Sequence, residues 1–195
     1  MTTIISANVV DAVETLRGGG VLLQATEGVW GFACDPGAPG AVDRIIALKR
    51  RDEKKGFILI SHDSKAFLAH MEGVQHRKEI EASWPGPHTW ILPNFERFDD
   101  RITGGRNTVA CRVPGHAQAR QVCAGFGSIV ISTSANISGS APVLTQADAI
   151  AQFSGSVDCI LEGQVDRPGQ ASTIHGLDLD ILREPAATSG VQMNE

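Results

Sequence analysis

The sequence predicts a single α+β domain, one twisted, mixed β-sheet flanked by helices in the broad α/β class. Three observations carry that prediction. Apolar, β-branched runs and amphipathic stretches are interspersed without the strict strand–helix–strand order of a parallel-sheet protein. Several of these runs follow one another through short loops, which calls for antiparallel as well as parallel neighbours. Finally, 195 residues, 42% hydrophobic and 20% charged, supply one full core, with no repeat, low-complexity tract or linker to divide it.

Taken in order, Asn8 is placed to cap a helix running to about residue 17, where Val9, Val10, Val13 and Leu16 recur at helical spacing. Gly18, Gly19 and Gly20 end it, and 21–25 reads as a buried strand. A second amphipathic helix spans 41–49, with Val42, Ile45 and Ile46 on one face, and a compact apolar strand follows at 57–60. Helices are expected at 63–71 and 77–83, then strands at 89–92, 108–113 and 128–131. Helices at 117–123 and 145–153 precede three late strands at 159–161, 172–175 and 180–182. Residues 1–185 form the domain on this reading, and 186–195 a dispensable tail.

Composition excludes several function classes. A net charge of −5 gives no general attraction for nucleic acid, so any such attraction must come from a local patch. No apolar run reaches the roughly 18 residues needed to cross a bilayer, and MTTIISANVVDAVETLRGGG lacks the basic start and apolar stretch of a signal peptide. Cys34, Cys111, Cys123 and Cys159 are scattered without a C-x-x-C pair, and the histidines form no H-E-x-x-H. A reduced, cytoplasmic protein with no metal site of its own is expected. Neither G-x-x-x-x-G-K-[ST] nor a strand-linked G-x-G-x-x-G nor G-x-S-x-G occurs, which removes the P-loop, the Rossmann dinucleotide site and the α/β-hydrolase elbow.

Chemistry can sit in four places. Lys49-Arg50-Arg51-Asp52-Glu53-Lys54-Lys55 packs five cations into seven residues. It reads either as a solvated helix end, where cations suit the dipole, or as a phosphate clamp. Arg112 lies inside an apolar strand, so it is either half of a buried ion pair or faces a cavity to hold an anion. Thr26-Glu27-Gly28 follows the first strand, where polar residues often line a pocket. The strand at 128–131 runs into Ser132, Thr133, Ser134, Asn136 and Ser138, a dense set of hydroxyls and an amide. Trp84 to Thr89 reads as a rigid corner and Gly104-Gly105 as a turn.

Seven short motifs in one order resemble the YrdC-like family in its short bacterial form, threonylcarbamoyl-AMP synthase. They are Thr26-Glu27 with Gly31 and Cys34-Asp35; Leu48-Lys49-x-Arg51 with Lys55-Gly56; Trp84-Pro85-Gly86-Pro87-x-Thr89; Val109-x-x-Arg112-Val113-Pro114-x-His116; Ser134-Ala135-Asn136-x-Ser138-Gly139; Ser172-Thr173-Ile174; and Leu182-Arg183. The resemblance implies a single YrdC-like domain around a concave cavity. It implies joining of L-threonine, bicarbonate and ATP, with Mg²⁺, to threonylcarbamoyl-adenylate and pyrophosphate. That product serves threonylcarbamoyl modification of adenosine 37 in tRNA, which makes the tRNA-threonylcarbamoyl transferase complex an expected partner. By the same resemblance Lys49 and Arg51 are catalytic and, with Lys55, Thr108, Ser134, Asn136, Pro142 and Arg183, bind ATP. Thr26, Glu27, Gly28, Arg112, Ser132 and Ser172 bind threonine.

The chain departs from the family's usual Pro-Thr-Glu-Thr at Ala25 and Gly28, and Asp52 stands where a proline commonly follows K-x-R. Two alternatives stand beside the synthase: a double-stranded RNA-binding module using the 49–55 cluster, and a member of the fold without synthase activity.

Overall fold

The structure, a computed structural model, describes residues 2–184, so the tail expected at 186–195 lies outside the described residues. The chain opens with β1 (Ile4–Ser6) and α1 (Val9–Arg17), whose N-terminus Asn8 caps by accepting the Val10 N–H at 3.0 Å. β2 (Leu22–Ala25) and β3 (Trp30–Cys34) form a hairpin closed at Thr26, whose N–H and hydroxyl both donate to the Val29 carbonyl. α2 (Pro39–Lys49) leads through a 3₁₀ turn (Glu53–Lys55) to β4 (Ile58–Ile60). Next come a 3₁₀ segment (Ser64–His70), α3 (Arg77–Ala82), β5 (His88–Pro93), α4 (Asp100–Thr103) and β6 (Thr108–Arg112). α5 (Ala117–Phe126), β7 (Val130–Ser134), α6 (Gln146–Phe153), β8 (Cys159–Leu161), β9 (Thr173–His175) and β10 (Ile181–Arg183) complete the described chain.

The ten strands form one sheet in the order β1-β8-β2-β3-β7-β4-β6-β5-β9-β10. It is mixed, as the sequence predicts: β4–β6 and β5–β9 run parallel, whereas β3–β7, β4–β7 and β5–β6 run antiparallel. Side chains alternate between its faces. One face carries Leu23, Phe32, Ile131, Leu59, Cys111 and Leu92 into the larger core, closed by Val42 and Ile45 of α2 and Phe153 of α6. On the other, Leu22, Ala33, Val130 and Ile60 pack beneath Ala12 and Leu16 of α1 and Val122 and Cys123 of α5. Those two helices cover only one end of that face.

Five elements differ from the sequence reading, each for a physical cause. β1 and α4 are too short to show a period. β3 is buried on both faces, so Trp-Gly-Phe-Ala-Cys carries no polar alternation to mark it. The helix expected at 63–71 is 3₁₀: Asp63 caps it on the Lys65 N–H, and its three-residue period stacks Phe67 and His70 inward. The strand expected at 128–131 lies at Val130–Ser134, so the hydroxyls belong to the strand instead of following it.

All four cysteines are free and buried. Burial, aided by Asp35, pushes the Cys34 thiol up to about 12, and burial also raises Cys111, Cys123 and Cys159. Iodoacetamide at pH 8 is expected to label none of them in the native protein and all of them after unfolding. Native labelling at the rate of a free thiol would contradict that burial.

Candidate active site

The uncovered part of the second sheet face is a strip of small and polar residues. Register places Ser134 opposite Gly31, Ser132 opposite Ala33 and Ile58, Ile58 opposite Ala110, and Ile60 opposite Arg112. Thr108, Ala110 and Arg112 alternate with the buried Val109 and Cys111, so they share this face with Ser132 and Ser134. Ile58, Thr108, Ala110, Arg112, Ser132 and Ser134 stay partly exposed although they lie on central strands. The hydroxyls of Ser132 and Ser134 therefore lie on the open part of a sheet face, which answers why a core strand carries them.

At one end of the strip lies Lys49, the last residue of α2, only 1% exposed. Its ammonium donates to the Ser134 carbonyl, to the Asn136 carbonyl at 3.1 Å and to Asn136 Oδ1 at 3.0 Å. Burial, then the positive charges of Arg51 and Lys55, pull its pKa down to about 8. Ser134 Oγ donates to Asn136 Oδ1 at 2.6 Å. Arg51 donates through Nε and Nη2 to the Gly56 carbonyl at 3.1 and 2.7 Å, and its guanidinium lies 5.1 Å from the Phe57 ring centre. Burial lowers the Arg51 pKa, opposed by Asp52. The charge run is therefore divided: Lys49 is inside, Arg51 partly so, and Lys54 and Lys55 are exposed.

The second group surrounds Arg112. Its Nη2 pairs with Glu27 Oε1, both side chains being 11% exposed, and its Nε donates to the Gly86 carbonyl at 3.0 Å. The Gly115 N–H donates to the same Glu27 oxygen, while Glu27 Oε2 is buried without a partner. Burial lowers the Arg112 pKa against the opposing effect of Glu27, and Arg183 is lowered by burial and then by Arg112. Arg183 Nη2 donates to the Ser172 carbonyl at 2.8 Å, and Ser172 Oγ lies 2.9 Å from Thr89 Oγ1. Gly28 presses against the 167–170 loop, with its carbonyl accepting the Gly169 N–H at 2.8 Å.

Two constellations thus stand at the strip: Lys49, which reaches the end of β7 from α2 over the Phe32 ring, with Ser134, Asn136 and Arg51, and Arg112 with Glu27, Ser172 and Arg183, with Gly28 beside them. Ser132 and Thr108 belong to the strip itself, and Thr26 closes the β2–β3 turn. Among the described residues, the Lys55 and Thr108 side chains make no hydrogen bond or ion pair to either group, and Pro142 is exposed one residue before Val143, whose carbonyl accepts the Trp30 N–H. Gly86, Thr89 and Gly115 were missed by the sequence reading as site residues. The signal for the first two was the Trp84–Thr89 turn, whose Gly86 carbonyl faces Arg112.

The family model described as Telomere recombination, covering Sua5, YciO and YrdC, matches residues 14–184. The chain belongs to the Sua5/YciO/YrdC family. Within that family it is 41% identical over 172 residues to the threonylcarbamoyl-AMP synthase of Chromohalobacter salexigens, covering 87% of this chain and 92% of the relative. It is 40% identical over 156 residues to the synthase of Halorhodospira halophila, covering 79% and 82%. Among solved structures, P. abyssi Sua5 complexed with L-threonine matches with a TM-score of 0.84 at 27% identity, over 94% of this chain and 57% of that one. This family member therefore spans a little over half the Sua5 chain. E. coli YciO shares the fold over 95% of each chain, with a TM-score of 0.79 at 23% identity.

Proposed function

We propose that this protein is a cytoplasmic threonylcarbamoyl-AMP synthase acting on L-threonine, bicarbonate and ATP. The observation that carries the reading is the polar strip with a cation-rich loop at one end and the Arg112–Glu27 pair, with Arg183 near it, at the other. That arrangement suits an anionic nucleotide and an amino acid held side by side. In the reaction, the threonine ammonium and bicarbonate give a carbamate, water and a proton. A carbamate oxygen then attacks the α-phosphorus of ATP, the bond to the bridging oxygen breaks, and pyrophosphate leaves. Such transfers need positioning and charge stabilisation more than a covalent nucleophile.

On this reading Lys49, Arg51 and Lys55 belong to the ATP site, with the positive field at the triphosphate set by Arg51 and Lys55. Ser134, Asn136, Thr108, Pro142 and Arg183 line the nucleotide site. Arg112, with Ser132 and Ser172, holds the threonine carboxylate, and Thr26, Glu27 and Gly28 close that pocket. Mg²⁺ enters with the nucleotide, since it keeps several waters and binds through substrate phosphates; the described residues hold no group of three or more His, Cys, Asp or Glu side chains that could cage a metal. The adenylate would pass to a tRNA-threonylcarbamoyl transferase, and Arg50, Lys54 and Lys55 are exposed cations of the 49–55 run that RNA could touch. No described helix is long and apolar enough to cross a membrane.

The test is pyrophosphate release with ATP and Mg²⁺, omitting threonine or bicarbonate in turn. Release requiring both supports the synthase; no release from folded protein moves the assignment to a non-synthase member. Arg51→Ala is expected to lower release by about 10²-fold, the scale of one lost charge-stabilising donor. Unchanged turnover would remove Arg51 from the site.

A further inference from the structure

We infer that Lys49 is a positioning residue: it folds the 134–138 loop around its buried ammonium and acts on the nucleotide through that loop, without reaching the phosphates itself. The inference rests on the synthase reading only for the identity of the ligand. Its basis is an inventory of donors. An ammonium has three protons, and three oxygens already take them: Ser134 O, Asn136 O and Asn136 Oδ1. Ser134 Oγ stands 3.5 Å away as a fourth neighbour.

The grip is two-sided. The Lys49 carbonyl accepts the Ser138 N–H at 2.8 Å, so backbone and side chain of one residue hold both ends of the loop. Asn136 is committed too: Nδ2 donates to the Ile137 carbonyl at 3.1 Å and to the Ser140 carbonyl at 2.7 Å. The loop still offers a ligand its shape, the Ile137 N–H and the lone pairs of Ser134 Oγ, while Ser138 Oγ is buried without a partner. A lysine drawn out toward a triphosphate would surrender all three bonds and leave the Ser134 and Asn136 oxygens without this donor.

The charges facing the ammonium are Arg51 and Lys55 from the segment after α2. β3 contributes only the Phe32 ring, 5.9 Å away, and the end of β7 only neutral oxygens. Among the described residues, no carboxylate fixes the proton there. The lowered Lys49 pKa is what such surroundings produce, and a bound triphosphate in direct contact would reverse it.

Two measurements decide the matter. Calorimetric affinities of AMP, ADP and ATP for wild type and Lys49→Met are expected to show one similar loss, about ten-fold or more, for all three nucleotides. Untouched AMP binding, with losses growing from ADP to ATP, would mark a direct β,γ-phosphate ligand and overturn the inference. The second needs no variant: NMR titration of the Lys49 ammonium in wild type, free and ATP-bound. An unchanged midpoint supports the positioning role, and an upward shift of a full pH unit overturns it. Wild type that binds none of the three nucleotides would overturn the synthase reading itself, and this inference with it.

Discussion

Arg112→Ala should lower the stability of this protein by about 3–5 kcal/mol, the scale for breaking a buried ion pair from one side, and should also raise the threonine requirement sharply. The first effect comes from what is left behind. Glu27, 11% exposed beside Arg112, would be left with the Gly115 N–H as its remaining partner, and its Oε2 has none to begin with. The Gly86 carbonyl loses its Nε donor as well. For a domain of this size the melting temperature should fall by roughly 10 °C, read by thermal denaturation.

The two roles that the sequence leaves open for Arg112, ion pair and substrate anchor, separate in a double variant. Adding Glu27→Gln to Arg112→Ala removes the stranded charge and should restore most of the lost stability. It should restore none of the threonine-dependent pyrophosphate release. Recovery of both would make Arg112 purely structural. A single variant that melts within about 2 °C of wild type would remove the buried pair from the energetics altogether.

The sequence marks Arg112 because a charge inside an apolar strand demands an explanation, yet its partner sits on a different turn and is visible only in the fold. The same limit applies to Lys49. A run of five cations has the same composition whether each is solvated or buried, and only the position of Lys49 on the last turn of α2 places it inside while Lys54 and Lys55 stay out. Long amphipathic elements such as α1 and α2 were legible because their apolar spacing survives on one buried face. β3 was not, since burial on both faces erases the alternation that betrays a strand. The hydroxyl cluster was misplaced as a structure: Ser132 and Ser134 look like a loop by composition, whereas pairing with β3 and β4 holds them in the strand.

Gly28→Ala should be nearly as damaging as loss of Arg112, although it adds a single methyl. A Cβ at Gly28 would lie 1.8 Å from the Gln170 carbonyl oxygen and 2.7 Å from its carbon, backbone atoms that no rotamer change can move. The 167–170 loop must withdraw, straining the bonds from the Gly169 N–H to the Gly28 carbonyl and from the Arg167 N–H to the Glu27 carbonyl. Overpacking of this kind costs about 1–3 kcal/mol. The larger effect falls on activity, because Ser172 follows that loop by two residues and an error of about 1 Å in a positioning group costs about 10²-fold. Gly40→Ala is the matched control, with open space where its Cβ would go; it should leave turnover unchanged. The family commonly has threonine at the Gly28 position, and this loop leaves no room for one. The departure is therefore a fit to the 167–170 loop, and normal turnover in Gly28→Ala would show that the loop yields and that the close approach does not shape the site.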